Sequence, residues 1–434
     1  MVVVVALAAM WAGLAPAERF RSISLVETAQ QRWHKGNLHT HSHWSDGDDY
    51  LESIALWYRD SGYQFLVFTD HNVLPNTERW ETIDKTRGGR RAFDKLLEKF
   101  PDWVDHREHK GLHQVRLRTF DEVSQRLAVP GEFLLIQGEE ISDHFDRLPI
   151  HLNAGNVREV IAPRGGDSVS EVIQNNVDFV LAERQRTGRP MMVHLNHPNF
   201  GLAVTAEDLA PIIGERFFEV YNGHPHVHNS GTEHHASTER LWDIVLTKRL
   251  AELQLPIMYG LAVDDGHNYH DMPSRESEPG RGWVMALLPE LTPAAVIQAL
   301  EAGRFYASSG VSLKRIDSSD RGLFVEIDPV PGETYAIEFI GTRRGYDPRS
   351  YEVLDRKGQP VRATRRYSAD IGQRFSVAQG TSARYDFIGD EIYVRARVTS
   401  SAAHPNPSEV GDLKSAWVQP VPGPGCPPTA GPLE

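Results

Sequence analysis

Between Asn37 and about Ser312 the chain alternates short, continuous apolar runs with amphipathic stretches, the pattern of repeated strand–helix units. In "YQFLVFTDHN" a β-rich run from Phe65 to Thr69 ends in polar residues. "EFLLIQGEEIS", "PMMVHLNHPNF", "RFFEVYNG" and "PIMYGLAVDDGH" repeat that plan. Strands covered on both faces read as unbroken apolar runs, so a largely parallel sheet under helices is expected. "DYLESIALWYRDSG" and "VSEVIQNNVDFVLAERQRTG" carry helical spacing and end near a glycine able to cap them. Residues 77–129 are denser in charge and break the rhythm; a helical insertion over the site is expected there.

After Leu313 the pattern changes. "GLFVEIDP", "TYAIEFIG" and "EIYVRARVTSS" alternate apolar and polar positions, as half-buried antiparallel strands do. A small β-domain over 314–421 follows, and the Pro/Gly-rich tail 422–434 is expected to be disordered.

Nearly every strand-like run closes on His, Asp, Glu or Asn, and almost none on Lys or Arg. The stretch "GNLHTHSHWSDG" contributes His39, His41 and Asp46, and "TDHN" adds His71. Glu140 stands in "GEEIS", His151 in "PIHLN", His197 in "NHP", and Asp265 and His267 in "DDGH". α/β barrels keep their active sites at the C-terminal ends of their strands, so a barrel would gather these groups at one mouth.

Charge and cysteine content narrow the chemistry. A formal net charge of −13 over 434 residues argues against nonspecific nucleic-acid binding, which needs clustered Lys and Arg. It also repels phosphorylated substrates at long range unless cations sit at the site. The single cysteine, Cys426, permits neither an intrachain disulfide nor a thiolate metal cluster, so any metal takes nitrogen and oxygen ligands. The apolar run Met1 to Leu14 precedes Ala15-Pro16-Ala17, a small-residue pattern that marks residues 1–20 as a candidate signal peptide, though without its usual positive start. A periplasmic or secreted protein is expected, a cytoplasmic one being the alternative. That run is short for a bilayer span, and no later segment resembles a transmembrane helix.

The ordered set "HTHSHWSDG", "TDHN", "GEEIS", "NHP" and "DDGH" resembles the successive motifs of the polymerase-and-histidinol-phosphatase (PHP) metal-dependent phosphoesterases. The resemblance covers Asn37 to Gly310; "AGRFYASSG", "YVRARVTSS" and "SAWVQPV" are similar to the long branch that carries a C-terminal β-domain. It implies an α/β fold, a distorted (β/α)7 barrel at 30–313, with two or three divalent metals: Mn, Zn or Fe. By the resemblance, His39, His41, Glu140 and Asp265 hold the first metal; Glu140 bridges to a second completed by His151 and His197; Asp46, His71 and His267 hold the third. Some members have a histidine where this chain has Asp46, which leaves metal preference open. The function implied is hydrolysis of a phosphate ester on a small molecule by metal-activated water. His71, Asp265 and His267 are the candidate catalytic residues, and a ligand histidine or an incoming water protonates the leaving oxygen. Carbamate, amide or carboxylic ester hydrolysis at the same site is the alternative, and a non-catalytic metal-binding module a third reading.

Further residues are weighed by position. His224 is the candidate substrate contact in "YNGHPHVHN", where alternation would aim His224, His226 and His228 at the cleft. Arg304 and Arg281 are the basic residues nearest the motifs; Arg304 is the candidate phosphate contact, against a purely structural role. His43 and Glu139 read as neighbours of ligands, His194 as structural, and Asp264 as a carboxylate orienting a ligand histidine. Trp242-Asp243 reads as helix packing, and Arg395 with Arg397 as one strand face. No P-loop and no G-x-S-x-G elbow occurs.

Overall fold

A computed structural model describes residues 22–428 apart from residue 215; the candidate signal segment 1–20 lies outside the described residues. Thirteen strands share one sheet. The first seven are β1 (Arg32–Asn37), β2 (Phe65–Phe68), β3 (Leu134–Phe145), β4 (Leu148–Gly155), β5 (Met192–Leu195), β6 (Phe217–Asn222) and β7 (Tyr259–Val263). The others are β8 (Trp283–Leu288), β9 (Phe305–Ser308), β10 (Tyr335–Arg343), β11 (Gln373–Gln379), β12 (Glu391–Ala403) and β13 (Leu413–Pro422). Their hydrogen-bonded order is β7-β6-β5-β4-β3-β2-β1-β8-β9-β13-β12-β10-β11.

The fold is mixed α/β. β1, β2 and β3 are parallel, as are β5, β6 and β7. β4 runs against both of its neighbours, a reversal within the largely parallel order that the apolar runs led one to expect. Only Asp146 and Arg147 join β3 to β4, and a two-residue link allows a hairpin but no crossover helix. β7 and β1 do not pair along their lengths. Their continuations meet just beyond the strand ends, where Asp265 N–H donates to His39 O (3.1 Å) and His41 N–H to Gly266 O (3.0 Å).

Helices α1 (Leu51–Asp60), α2 (Gly89–Lys99), α3 (Phe120–Leu127), α4 (Val169–Thr187), α5 (Thr238–Thr247) and α6 (Pro293–Glu301) pack beside these sheets. In α4, Val169, Val172, Ile173, Asn176, Val177 and Val180 recur every three or four residues and are buried together. Ser168 Oγ accepts Glu171 N–H at its start, and Gly188 ends it at φ 65°, where a side chain would be strained.

The segment 77–129 is more than a helical insertion. Beside α2 and α3 it holds a three-stranded antiparallel sheet of Arg79–Thr82, His106–His109 and Leu112–Leu117. Lys110 (φ 51°) and Gly111 (φ 73°) close the hairpin of the last two.

The C-terminal strands extend the main sheet: β9 pairs with β13, aligning Tyr306 with Val418. A four-stranded antiparallel sheet covers their far half, and it includes Ile23–Val26, from well before the expected boundary at 314. Leu25, Ile316, Leu323 and Val325 on that sheet meet Val394, Ala396 and Val418 in one core. The near end of the expected disordered tail is bonded in place. Gly423 N–H reaches Ile392 O at 3.0 Å, and Gly425 N–H reaches Glu391 O at 2.7 Å. Residues 429–434 lie outside the described residues. Among the described residues, no helix is long and apolar enough to cross a membrane.

Candidate metal centre

The chain leaving β1 bends at Leu38 and bridges from Thr40 to Gly266, so His39 and His41, on either side of that bridge, point the same way, toward Asp265. Asn37 Nδ2 holds this segment by donating to His39 O (2.9 Å) and Thr40 Oγ1 (2.8 Å). The next turn hangs on Asp70, which accepts Ser42 N–H (2.8 Å), Ser42 Oγ–H (2.8 Å) and Ser45 Oγ–H (2.6 Å). His71, just past the end of β2, sits beside Glu140 in the middle of the longer β3. His151 reaches the same place from the antiparallel β4, and His197 follows β5. Asp265 follows β7 with a left-handed backbone (φ 51°), a short-lived reversal that returns His267 toward the cleft.

The structure brings all nine expected ligands together. His39 Nε2 lies 3.4 Å from Glu140 Oε1 and 3.2 Å from Asp265 Oδ1. His41 Nε2 lies 3.4 Å from Glu140 Oε2 and 3.2 Å from Asp265 Oδ1. His151 Nδ1 and His197 Nε2 stand 3.0 and 3.2 Å from Glu140 Oε1. Asp46 Oδ1 is 3.5 Å from His71 Nε2 and 3.4 Å from His267 Nε2. Ligand atoms of His41, Asp46, His71 and His267 all fall within 4.8 Å of one another, as do those of His71, Glu140 and His151.

Two atoms each bound about 2.1 Å from one ion at a tetrahedral angle lie about 3.4 Å apart, so these spacings suit shared cations. The buried atoms His39 Nε2, His41 Nε2 and Glu140 Oε2 have no hydrogen-bond partner. Each such orphan costs about 1–3 kcal/mol in a closed fold, a cost that coordination removes. The donor set fits divalent metals.

Electrostatics point the same way. Burial pushes the His41 imidazole down to about 3, leaving it neutral, the form that ligates. Burial opposes charge on His39 as well, but Asp265, Glu219 and Glu140 prevail and raise it well above the ordinary value. Burial likewise disfavours the Glu140 carboxylate, yet His71, His151 and His39 hold it well below its usual range. The carboxylates therefore demand positive charge in the space they enclose.

One residue essential to this arrangement carried no motif. Glu219, in the middle of β6, is fully buried. It lies 2.7 Å from His39 Nδ1 and 3.2 Å from His194 Nε2, and accepts His197 N–H (2.7 Å) and Asn222 Nδ2–H (2.7 Å). Against the cost of burial, His39 and His194 draw its carboxyl down to about 2. By engaging Nδ1 it turns His39 Nε2 inward. The one sequence signal was a charge inside the apolar run "FFEVYN". Asn196 was missed too; its amide donates to Glu140 Oε1 at 2.8 Å.

The other candidates divide. His224 lines the cleft, its ring 5.6 Å from His267 and 5.7 Å from Phe200, and burial lowers it to about 4. His226 lines it as well, whereas His228 offers its carbonyl to Asn199 Nδ2 (3.0 Å), because the segment is a turn and not an extended strand. Arg304 is not among the cleft residues. It precedes β9, whose opposite end, Ser308, pairs with Trp283 beside the mouth, so Arg304 stands at the far end of the sheet. Arg281 is fully buried and ties Gly223 O (2.8 Å) to Asn406 Oδ1 (3.0 Å), a structural role. Asp264 orients no histidine; it accepts Tyr58 O–H (2.8 Å) and the N–H groups of Arg281 (2.7 Å) and Gly282 (2.9 Å). His43 packs on Tyr50 with Nδ1 3.0 Å from Gly47 O, and Glu139 accepts Ile161 N–H at 2.5 Å.

The centre opens into a cleft of about 540 Å³. Beyond the ligands its walls include Phe200, His224, Asn268, Arg87 and Arg275.

No protein-family model matches the chain. The DNA polymerase/3'-5' exonuclease PolX of Bacillus subtilis is 32% identical over 82 residues, 19% of this chain; the match spans 14% of that relative's length. A two-domain protein of Bacteroides vulgatus containing a predicted PHP-like metal-dependent phosphoesterase aligns over 94% of this chain and 100% of its own, at 14% identity and a TM-score of 0.41. PsfC of Pseudomonas syringae aligns over 62% of this chain and 88% of its own, at 11% identity and a TM-score of 0.31.

Proposed function

We propose that this chain, whose motifs resemble those of the PHP phosphoesterases, is a metal-dependent hydrolase that cleaves a phosphate ester of a small molecule. The observation that carries the reading is the convergence of nine His, Asp and Glu side chains, with buried unpartnered Nε2 and Oε2 atoms, at the floor of an open cleft. His39, His41, Glu140 and Asp265 would hold one ion, Glu140 with His151 and His197 a second, and Asp46, His71 and His267 a third. Divalent ions there would supply charge neutralisation for phosphate oxygens and water activated near neutral pH. We read β1 to β7 as the distorted barrel that such a mouth requires.

The chain's own residues do the rest. Glu219 fixes His39, and Asp70 fixes the turn that carries Asp46, so the ligands stand ready before substrate arrives. His224 and Phe200 give the cleft a ring-lined wall that excludes water from one side of the substrate. A cleft-facing histidine or an incoming water would protonate the leaving oxygen.

The test is hydrolysis of nitrophenyl phosphate mono- and diesters by metal-stripped protein with Mn, Zn or Fe restored, alongside Asp265→Ala. Turnover that returns with metal and is absent from the variant is expected. No turnover with any metal, despite bound metal, would overturn the phosphoester reading and move carbamate, amide and carboxylic ester substrates to the front.

A further inference from the structure

We infer that Arg87 and Arg275 together form the anion clamp of this cleft and select a phosphate monoester over a diester. This rests on the phosphoester reading and assigns its substrate class. Both arginines line the cleft, and both are exposed. Among the described residues they are the only Lys or Arg that line it. Neither was singled out by a motif: Arg87 lies in the charged segment ahead of α2, and Arg275 in the loop that follows β7.

Their bonding state separates them from the other arginines near the site. Arg281 is fully buried and engaged, and Arg91 is paired with Asp271. Arg275, by contrast, has no hydrogen bond or ion pair among the described residues. Arg87 donates from Nη1 to Asp46 O (2.6 Å), which leaves its other donors free and holds its guanidinium beside a candidate ligand. Two cations facing a cleft without carboxylate partners are unusual in a chain of net charge −13.

The two segments are also fastened to each other. Besides the Arg91–Asp271 pair, Lys95 Nζ donates to Tyr269 O (3.4 Å). Arg87 and Arg275 therefore belong to one wall and act on one ligand. Glu276, beside Arg275, also lines the cleft, so its charge opposes an anion placed outside the reach of the arginines.

The preference for a monoester follows from counting acceptors. A monoester presents three non-bridging oxygens and close to two negative charges, enough for the ligand-bound centre and for planar guanidinium forks at once. A diester presents two such oxygens and one charge, which the centre alone satisfies, and its second ester group would meet the arginine wall.

Binding of inorganic phosphate to metal-loaded protein, read by calorimetry, tests this together with kcat/KM for nitrophenyl phosphate mono- and diesters. The variants are Arg275→Ala, Arg275→Lys and Arg87→Ala. Since Arg275 makes no hydrogen bond or ion pair among the described residues, its variants are expected to retain the wild-type melting temperature. Each alanine variant is expected to weaken phosphate about tenfold and to lower the monoester-to-diester ratio by a similar factor, with lysine restoring part of the loss. Wild-type phosphate affinity and an unchanged ratio in Arg275→Ala and Arg87→Ala, in a protein that does hydrolyse phosphoesters, would overturn the clamp and leave the hydrolase reading standing. Wild-type protein that neither binds phosphate nor hydrolyses either ester would overturn both.

Discussion

Glu219 lies within 3.2 Å of two histidine rings and accepts a backbone N–H from a third histidine, His197, all without solvent. A carboxylate in that position sets which nitrogen of His39 faces the metal site. Glu219→Gln keeps the volume but loses the charge that favours a proton on Nδ1. Metal affinity is expected to fall about 10- to 100-fold in that variant, measured by competition with a chromogenic chelator. Unchanged affinity would show that the ring is held by packing alone. The candidate ligands themselves were legible in the sequence, because the capacity to coordinate is a property of side-chain identity and most stood at or beyond an apolar run. Glu219 and Arg275 were not, because what distinguishes them is their neighbours in space. Arg304 misled for the related reason that adjacency to a motif does not say which end of a strand a residue occupies.

At the scale of elements, the join between α5 and β12 shows how the second half of the sheet is secured. Arg395 is 1% exposed and donates to Asp243 from Nε (2.8 Å) and Nη2 (2.8 Å), with Tyr393 O–H on the same carboxylate (2.9 Å). Its guanidinium also lies 4.9 Å from the Trp242 ring centre. The strand face and the helix pair noted in the sequence are thus two sides of one buried ion pair. Arg395→Ala strands the Asp243 charge and is expected to cost about 3–5 kcal/mol in urea unfolding, whereas Arg395→Met with Asp243→Leu should cost far less. Helix α1 carries a different strain: Glu52 is buried, and burial pushes its carboxyl up to about 7. The folded state thus holds a proton that the unfolded chain releases near pH 4.5, so this contribution is favourable at low pH and is lost as pH rises through 7. Between pH 5 and 8, Glu52→Gln should gain about 2–3 kcal/mol of stability relative to the parent protein. A constant difference across that range would place the Glu52 titration outside it.

For the whole molecule, the candidate metal centre is also a structural seam. Candidate ligands from β1, β2, β3, β4, β5 and β7 or their continuations meet there, including the two edges that do not pair along their length. Ions that bind the native state alone stabilise it by mass action, by about 2.7 kcal/mol at a concentration one hundred times Kd. Stripping metal is expected to lower the melting temperature by several degrees, with restoration by added Mn or Zn, and Asp265→Ala should abolish most of that response. A melting curve indifferent to metal would mean that the seam holds without ions. The sequence alone determined the inventory of candidate ligands, the runs that become β2, β3, β5, β6 and β7, and the change of pattern near Leu313, because periodicity and side-chain chemistry are local. Tertiary structure decided the rest: the reversed β4, the sheet continuous from β9 into β13, the strand Ile23–Val26 in the far sheet, and the arginines that reach the cleft. Those features depend on which segments pair across long stretches of chain, and pairing leaves no mark on the residues of one segment read by itself.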